Sequence, residues 1–274
     1  MNLILSEFQK LKRYSVILVG MLGTACSPVI SIVMQNIMSD DAKTVLNYTF
    51  ADLINSTIWN NMTIFFPMIL AMIGGYMISR EYTDDTLKNI LAIPVSFPRL
   101  ITVKLTTLGI IALLLGLFTA LVTLLIGLAF CNENMTLSVV LPGSIQMTAM
   151  SLFTCIGEFP LIALCGRKEG AFRGGAVAAF LLGYIAIFLK NPVLRNLYPL
   201  SAGLSIIQFG GEGFVSDTAG SYASTQNSFI GICVLLSMIV MTAIIIHIPI
   251  KNATAAASPK KGIGGRQNRQ EVHK

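Results

Sequence analysis

Five stretches of this chain, residues 14–39, 53–79, 105–132, 134–157 and 218–246, contain no Asp, Glu, Lys or Arg, and a shorter one covers 174–189. A helix needs roughly 20 apolar residues to cross a hydrocarbon core. In lipid every backbone group must be bonded within the segment or within a closed barrel. Barrel strands alternate apolar and polar residues over about ten positions; "LGIIALLLGLFTALVTLLIGLAF", residues 108–130, does not alternate. Only 12% of the 274 residues are charged, and the mean hydropathy is +0.73. The expected fold is therefore an all-α polytopic membrane protein with six transmembrane helices. The last span is expected at Phe229 to Ile250, after a polar lead.

Charge asymmetry supplies an orientation. If the N-terminus is inside, sixteen of the nineteen basic residues fall on inner segments, and only Lys43, Lys190 and Arg195 face outward. Cationic loops resist translocation, so both termini are expected in the cytoplasm. The net charge of +6 then reads as topology and contact with anionic lipid headgroups. The basic residues are dispersed over four segments, which argues against a nucleic-acid partner. Of the five cysteines, Cys26, Cys155, Cys165 and Cys233 sit in or at the end of apolar runs, and no CxxC or Cys/His cluster proposes a metal site. "LGTAC" at 22–26 approaches a lipoprotein cleavage box, but Gly23 stands where leucine is expected and the apolar run continues past Cys26. An uncleaved first span is expected.

The opening "MNLILSEFQKLKR", residues 1–13, places Met1, Ile4, Leu5, Phe8 and Leu11 on one helical face, with Lys10 and Arg13 on others. Two readings stand: an interfacial helix whose Phe8, Lys10, Lys12 and Arg13 meet the inner leaflet, or a charged lead into span one. Span one is expected to end near Asn36. A polar loop, "MSDDAKTVLNYTFAD", then leads to span two at about Ile58 to Ser79. Span three is placed at about Leu105 to Phe130. Arg99 and Lys104 are positioned to snorkel to inner headgroups. A short turn, "CNENMTLSVVLPG", ends in Pro142, which suits a first helical turn. Span five is read at Gly174 to Leu189. Behind it, "KNPVLRNLYPLSAGLSIIQFGG" is apolar enough to bury but broken by Pro192 and Pro199, as in a re-entrant piece shielded by protein. Residues 1–250 thus form one transmembrane domain, and 251–274 a small, polar, basic cytoplasmic tail expected to be disordered.

Between spans two and three stands "REYTDDTLKNILAIPVSFPRL", residues 80–100. Thr83, Asp84 and Asp85 are helix-starting residues, and acidic groups complement the positive end of a helix dipole. Pro94 pushes Ile93 out of the α region. Leu87, Ile90 and Leu91 make a one-sided stripe. The result is a two-turn amphipathic helix, which serves either as an interfacial turn or as a docking knob for a cytoplasmic partner.

"SREYTDDTLKNILAIPVS" resembles the first cytoplasmic loop of ABC-2-type transporter permeases, in particular the bacitracin-resistance and lantibiotic-immunity subgroup. Glu81, Asp85, Thr86, Leu87, Lys88, Pro94, Val95 and Ser96 match that loop, while Phe97 fills the family's arginine position and Arg99 follows two residues later. "SEFQKLKR" resembles the family's N-terminal interfacial helix. The resemblance implies that Glu81, Tyr82, Asp84, Asp85, Thr86, Leu87, Lys88, Ile90 and Leu91 form a coupling helix against a separate ATP-binding subunit. Arg167, Lys168 and Glu169 of the second inner loop would be a further contact. It also implies a second permease copy or a related permease, and an antimicrobial peptide as cargo. The 274 residues contain no GxxxxGK[ST] phosphate loop, so no cofactor is expected in this chain, and ATP and Mg would belong to the partner subunit.

Glu158 is the one acidic residue placed within a span, followed by Pro160. A charge at depth costs several kcal/mol on insertion scales, so it must be paired, protonated or facing a cavity. Three roles stay open: a substrate or gating surface, a proton carrier in a secondary transporter, or an ion pair with Arg167 or Lys168. His247 is read as interfacial. No catalytic constellation points to an enzyme. An accessory membrane subunit that does not transport is the remaining alternative.

Overall fold

The computed structural model describes residue 7 and residues 15–42, 48–83, 97–131, 135–166, 170–189, 191–210 and 227–248. Among these there is no strand, and six helical segments are long and apolar enough to cross a membrane. In chain order the elements are α1 (Val16–Ala42), α2 (Phe50–Asn60), a π-helical segment (Asn61–Phe65), α3 (Phe66–Thr83), α4 (Phe97–Phe130), α5 (Leu137–Cys165), α6 (Ala171–Phe188), two short helices α7 (Pro192–Leu197) and α8 (Ala202–Ile206), and α9 (Ser228–His247). Spans one to six are α1, the α2–π–α3 unit, α4, α5, α6 and α9. Residues 84–96, 167–169 and 251–274 lie outside the described residues, as does the N-terminal segment apart from Glu7.

The six-span layout is as the hydrophobic runs require, but several boundaries differ; span five starts at Ala171 rather than Gly174, and span six ends at His247 rather than Ile250. Span two begins at Phe50, eight residues earlier than its apolar run indicates. Thr49 caps α2: its hydroxyl accepts from the Asp52 amide at 3.3 Å while the Asp52 carboxylate accepts from the Thr49 amide at 2.9 Å. This reciprocal capping box starts the helix inside what reads as a polar loop. Helix α1 likewise continues through the polar residues to Ala42. Pro142 is not in a first turn; it is the sixth residue of α5. Span three, α4, starts at Phe97, so its N-terminal end is two turns longer than its greasiest part.

Span two carries its own irregularity. Pro67 has no amide proton, so the Thr63 carbonyl one turn before it loses its helical donor. The π-helical segment falls immediately ahead of it, which is a recognised accommodation of such a break. Gly183 of α6 packs directly on the Thr63 carbonyl; a side chain there would overlap it. Small residues allow this closeness, which is how helices associate where lipid removes the hydrophobic drive.

Helix α5 is the hub, packing on spans two, three, five and six and on α8. Two apolar clusters divide the bundle along its length. One gathers Leu70, Leu108, Ile162 and Ile246 toward the end that carries Arg80 and Arg99. The other gathers Phe50, Leu53, Met147, Leu204 and Phe209 toward the opposite end. The broken segment after α6 folds back into the bundle as α7 and α8, where Leu200, Ala202 and Leu204 are buried. Only part of it is enclosed, since Val193, Leu194 and Leu197 of α7 are 51–53% exposed.

Candidate functional site

Of the residues the sequence singles out, Glu158 and Pro160 are brought together in a defined place. Both lie on α5 and line a half-open cleft of about 300 Å³. Its walls come from α5, from Leu182 of α6, from the connector residues Tyr198, Pro199 and Leu200, and from Met238 and Met241 of α9. Apart from Glu158 and the Tyr198 hydroxyl, these walls are apolar.

Local chemistry explains how the cleft forms. Pro160 cannot donate to the Ile156 carbonyl, so α5 has a weak point one turn long beside Glu158. Gly157 lets the connector approach: a Cβ there would stand 2.9 Å from the Pro199 carbonyl oxygen. Tyr198 is held by donating its hydroxyl to the Leu182 carbonyl. Burial, and then the charge of Glu158, push the Tyr198 hydroxyl up to about 12, so it stays a proton donor.

Glu158 is only 2% exposed, and neither carboxyl oxygen has a hydrogen-bond partner among the described residues. Buried side-chain oxygens are as a rule satisfied, and exceptions call for an explanation. Among the described residues no Lys, Arg or His lines the cleft. Arg167 and Lys168, the ion-pair partners considered from sequence, lie outside the described residues.

The residues expected from resemblance to form a coupling helix give a different result. Glu81 and Tyr82 belong to the last turn of α3, while Asp84, Asp85, Thr86, Leu87, Lys88, Ile90 and Leu91 lie outside the described residues. So do Glu169, Phe8, Lys10, Lys12 and Arg13. Arg99 is exposed, while Lys104 corrects its expectation. It is 3% exposed and its ammonium lies 2.8 Å from the Glu7 carboxylate, inside the protein rather than at the headgroups. No local pattern could reveal this pair, because the partners are 97 positions apart.

Two further buried polar positions stand out: Asn61, which sequence reasoning gave no role, and Arg195, which it placed on an outward-facing segment. Asn61, in the π-helical segment, is fully buried with both amide atoms unpartnered among the described residues. Its signal was the Asn60-Asn61 pair within an apolar run. Arg195 is 4% exposed, with Nε donating to the Leu189 carbonyl at 3.2 Å and its guanidinium 5.3 Å from the Trp59 ring centroid. Among the described residues no group of His, Cys, Asp and Glu could hold a metal.

With this geometry in view, comparison with known proteins is decisive for the family. The profile of the ABC-2 family transporter protein matches residues 3–188, more than half of the chain and five of its six spans. The chain belongs to the ABC-2 transporter family. It is also 40% identical over 136 residues to the bacitracin transport permease protein BCRB of Bacillus licheniformis, a match covering 49% of this chain. The chain spans 64% of that relative's length. The family match runs through spans one to five and through the charged segment between spans two and three. It assigns no role to the Glu158 cleft.

Proposed function

We propose that this chain is the membrane permease subunit of an ATP-driven ABC exporter in a bacterial plasma membrane, with both termini cytoplasmic. The observation that carries the reading is the ABC-2 match through residues 3–188, which includes the charged segment 80–100. In this reading residues 81–91 dock in a cleft of a separate ATP-binding subunit, which holds ATP and Mg, and 167–169 make a second contact. A second copy of the chain, or a related permease, completes the transport path. The cargo class is an amphipathic antimicrobial peptide of bacitracin or lantibiotic type, and its export gives resistance or self-immunity. Similarity to a bacitracin transport permease supports that cargo.

The test is an affinity pull-down of the tagged chain in mild detergent from its host, with Leu87→Asp plus Leu91→Asp as the variant. A stoichiometric ATP-binding subunit, lost from a well-inserted double variant together with resistance, is the expected result. Resistance retained in that variant would overturn the docking assignment.

A second reading is favoured by one observation, the buried Glu158 carboxyl that has no partner among the described residues: a secondary transporter in which that group carries a proton. Transport that persists without ATP and stops when the proton gradient is collapsed would select it. A chain that comes down alone, with no transport under either condition, would be an accessory subunit.

A further inference from the structure

We propose that the Glu158 cleft is a binding site for a hydrophobic amine, with the apolar chain of the ligand against the walls and its ammonium on the Glu158 carboxylate. The proposal deepens the exporter reading by naming the chemistry of what the spans hold.

Four observations converge. The Glu158 carboxyl is 2% exposed and lines the cleft without a partner for either oxygen among the described residues. An ionised carboxylate at membrane depth is costly unless paired, and a structural role would be met more cheaply by an apolar residue of similar volume. The polar groups at this level are otherwise committed or accepting: Pro160 leaves the Ile156 carbonyl without its helical donor, and the Tyr198 hydroxyl hydrogen is already given to Leu182. A ligand group that donates hydrogen bonds and carries positive charge therefore fits, and an anion does not.

Size and access agree with this. About 300 Å³ stands at the lower end of the range of small-ligand sites, roughly 300–1,000 Å³. Leu164 and Met241 at the rim are 50% and 45% exposed, so the opening lies between spans rather than at a loop surface. An amphipath already partitioned into the bilayer can enter sideways. Met238 and Met241 supply flexible, polarisable walls that adapt to chains of differing shape.

The experiment uses the full chain in phosphatidylcholine nanodiscs and measures equilibrium binding of radiolabelled dodecylamine, with dodecanol as the neutral probe of equal length. Saturable binding of the amine is expected, about tenfold or more tighter than the alcohol, since a hydrogen bond to a charged group contributes roughly 1.5–3 kcal/mol. Glu158→Gln should weaken the amine by about that factor and leave the alcohol unchanged, which also shows that the variant is folded. Glu158→Asp should retain part of the preference, and Leu182→Trp, which fills the opening, should abolish both. Equal affinity for amine and alcohol, or amine binding indifferent to Glu158→Gln, would overturn the proposal. Displacement of the amine by nanodiscs containing phosphatidylethanolamine would reassign the cleft to a structural lipid, and so would also overturn it. Probe binding needs neither ATP nor a partner subunit, so a failed pull-down and a failed binding experiment remain separate outcomes.

Discussion

Removing one member of the Glu7–Lys104 pair should destabilise the protein far more than removing both. The Lys104 ammonium and the Glu7 carboxylate are 2.8 Å apart with side chains 3% and 7% exposed. With an effective dielectric constant of about 20, two unit charges at that distance attract by roughly 6 kcal/mol. Desolvation of both ions consumes most of that, so the pair is worth little against an apolar replacement. Truncating a single partner takes from the other buried ion its opposite charge at 2.8 Å, and the expected cost is about 3–5 kcal/mol. Glu7→Gln and Lys104→Met should each show this loss, and the double variant should recover most of it. The assay is unfolding of the chain in mixed micelles by titrated dodecyl sulfate, followed through the fluorescence of Trp59, the one tryptophan in the sequence. A double-mutant cycle extracts the coupling, which the two single losses and the recovery in the double variant put at about 5 kcal/mol or more. If the two losses simply add, the charges do not interact, and the argument that position 7 is pinned to span three fails.

Three further outcomes follow from single positions. Gly157→Val forces a side chain against the Pro199 carbonyl oxygen, which would stand only 2.9 Å from a Cβ at 157. It should cost about 1–3 kcal/mol of overpacking while abolishing dodecylamine binding; unchanged midpoints and binding would refute the close approach. Asn61→Leu removes two buried atoms that have no partner among the described residues, so it should raise stability by about 1–3 kcal/mol, and a fall would show that the amide is satisfied in the folded protein. Burial pushes the Tyr48 hydroxyl up to about 12, against the lowering effect of its 2.9 Å hydrogen bond with Ser56. The unfolded chain then releases that proton first, so the Tyr48 contribution is intact below pH 10 and is lost between 10 and about 12. Tyrosinate absorbance of Tyr48→Phe against the parent, with unfolding midpoints across that window, checks both the direction and the range.

Much of the architecture was legible because the bilayer permits so few solutions. Uncharged runs of about 20 residues in a non-alternating pattern leave only helices, and six such runs became six helical spans. Boundaries were less legible because polarity marks the edge of the hydrocarbon, not the end of a helix. Thr49 and Asp52 read as loop residues, yet their side chains close a capping box that begins α2. Lys104 shows the same limit for side chains. A lysine near the end of an apolar run has two stable outcomes, a headgroup or a buried acid, and the second depends on a residue 97 positions away.

The Glu158 cleft lies between these extremes. The sequence marks its floor, since an acid followed by proline in an apolar run must be accommodated by something. It does not mark the walls, because Gly157, Leu182, Tyr198 and Met241 look ordinary until α5, α6, the connector and α9 are packed together. Asn61 makes the contrast useful. It is also polar, buried and without a partner among the described residues, but it sits in a π-helical segment enclosed by α1, α5 and α6, and is absent from the walls of the cleft. Glu158 has the same unmet bonding capacity beside open volume. Unmet polarity alone is strain, whereas unmet polarity facing space that a ligand can reach is a binding site. The two substitutions should therefore part company: Asn61→Leu strengthens the fold without touching amine binding, and Glu158→Gln removes the preference for amine over alcohol. Loss of that preference in the Asn61 variant would show that the two buried groups form one polar system, and the cleft would then extend to span two.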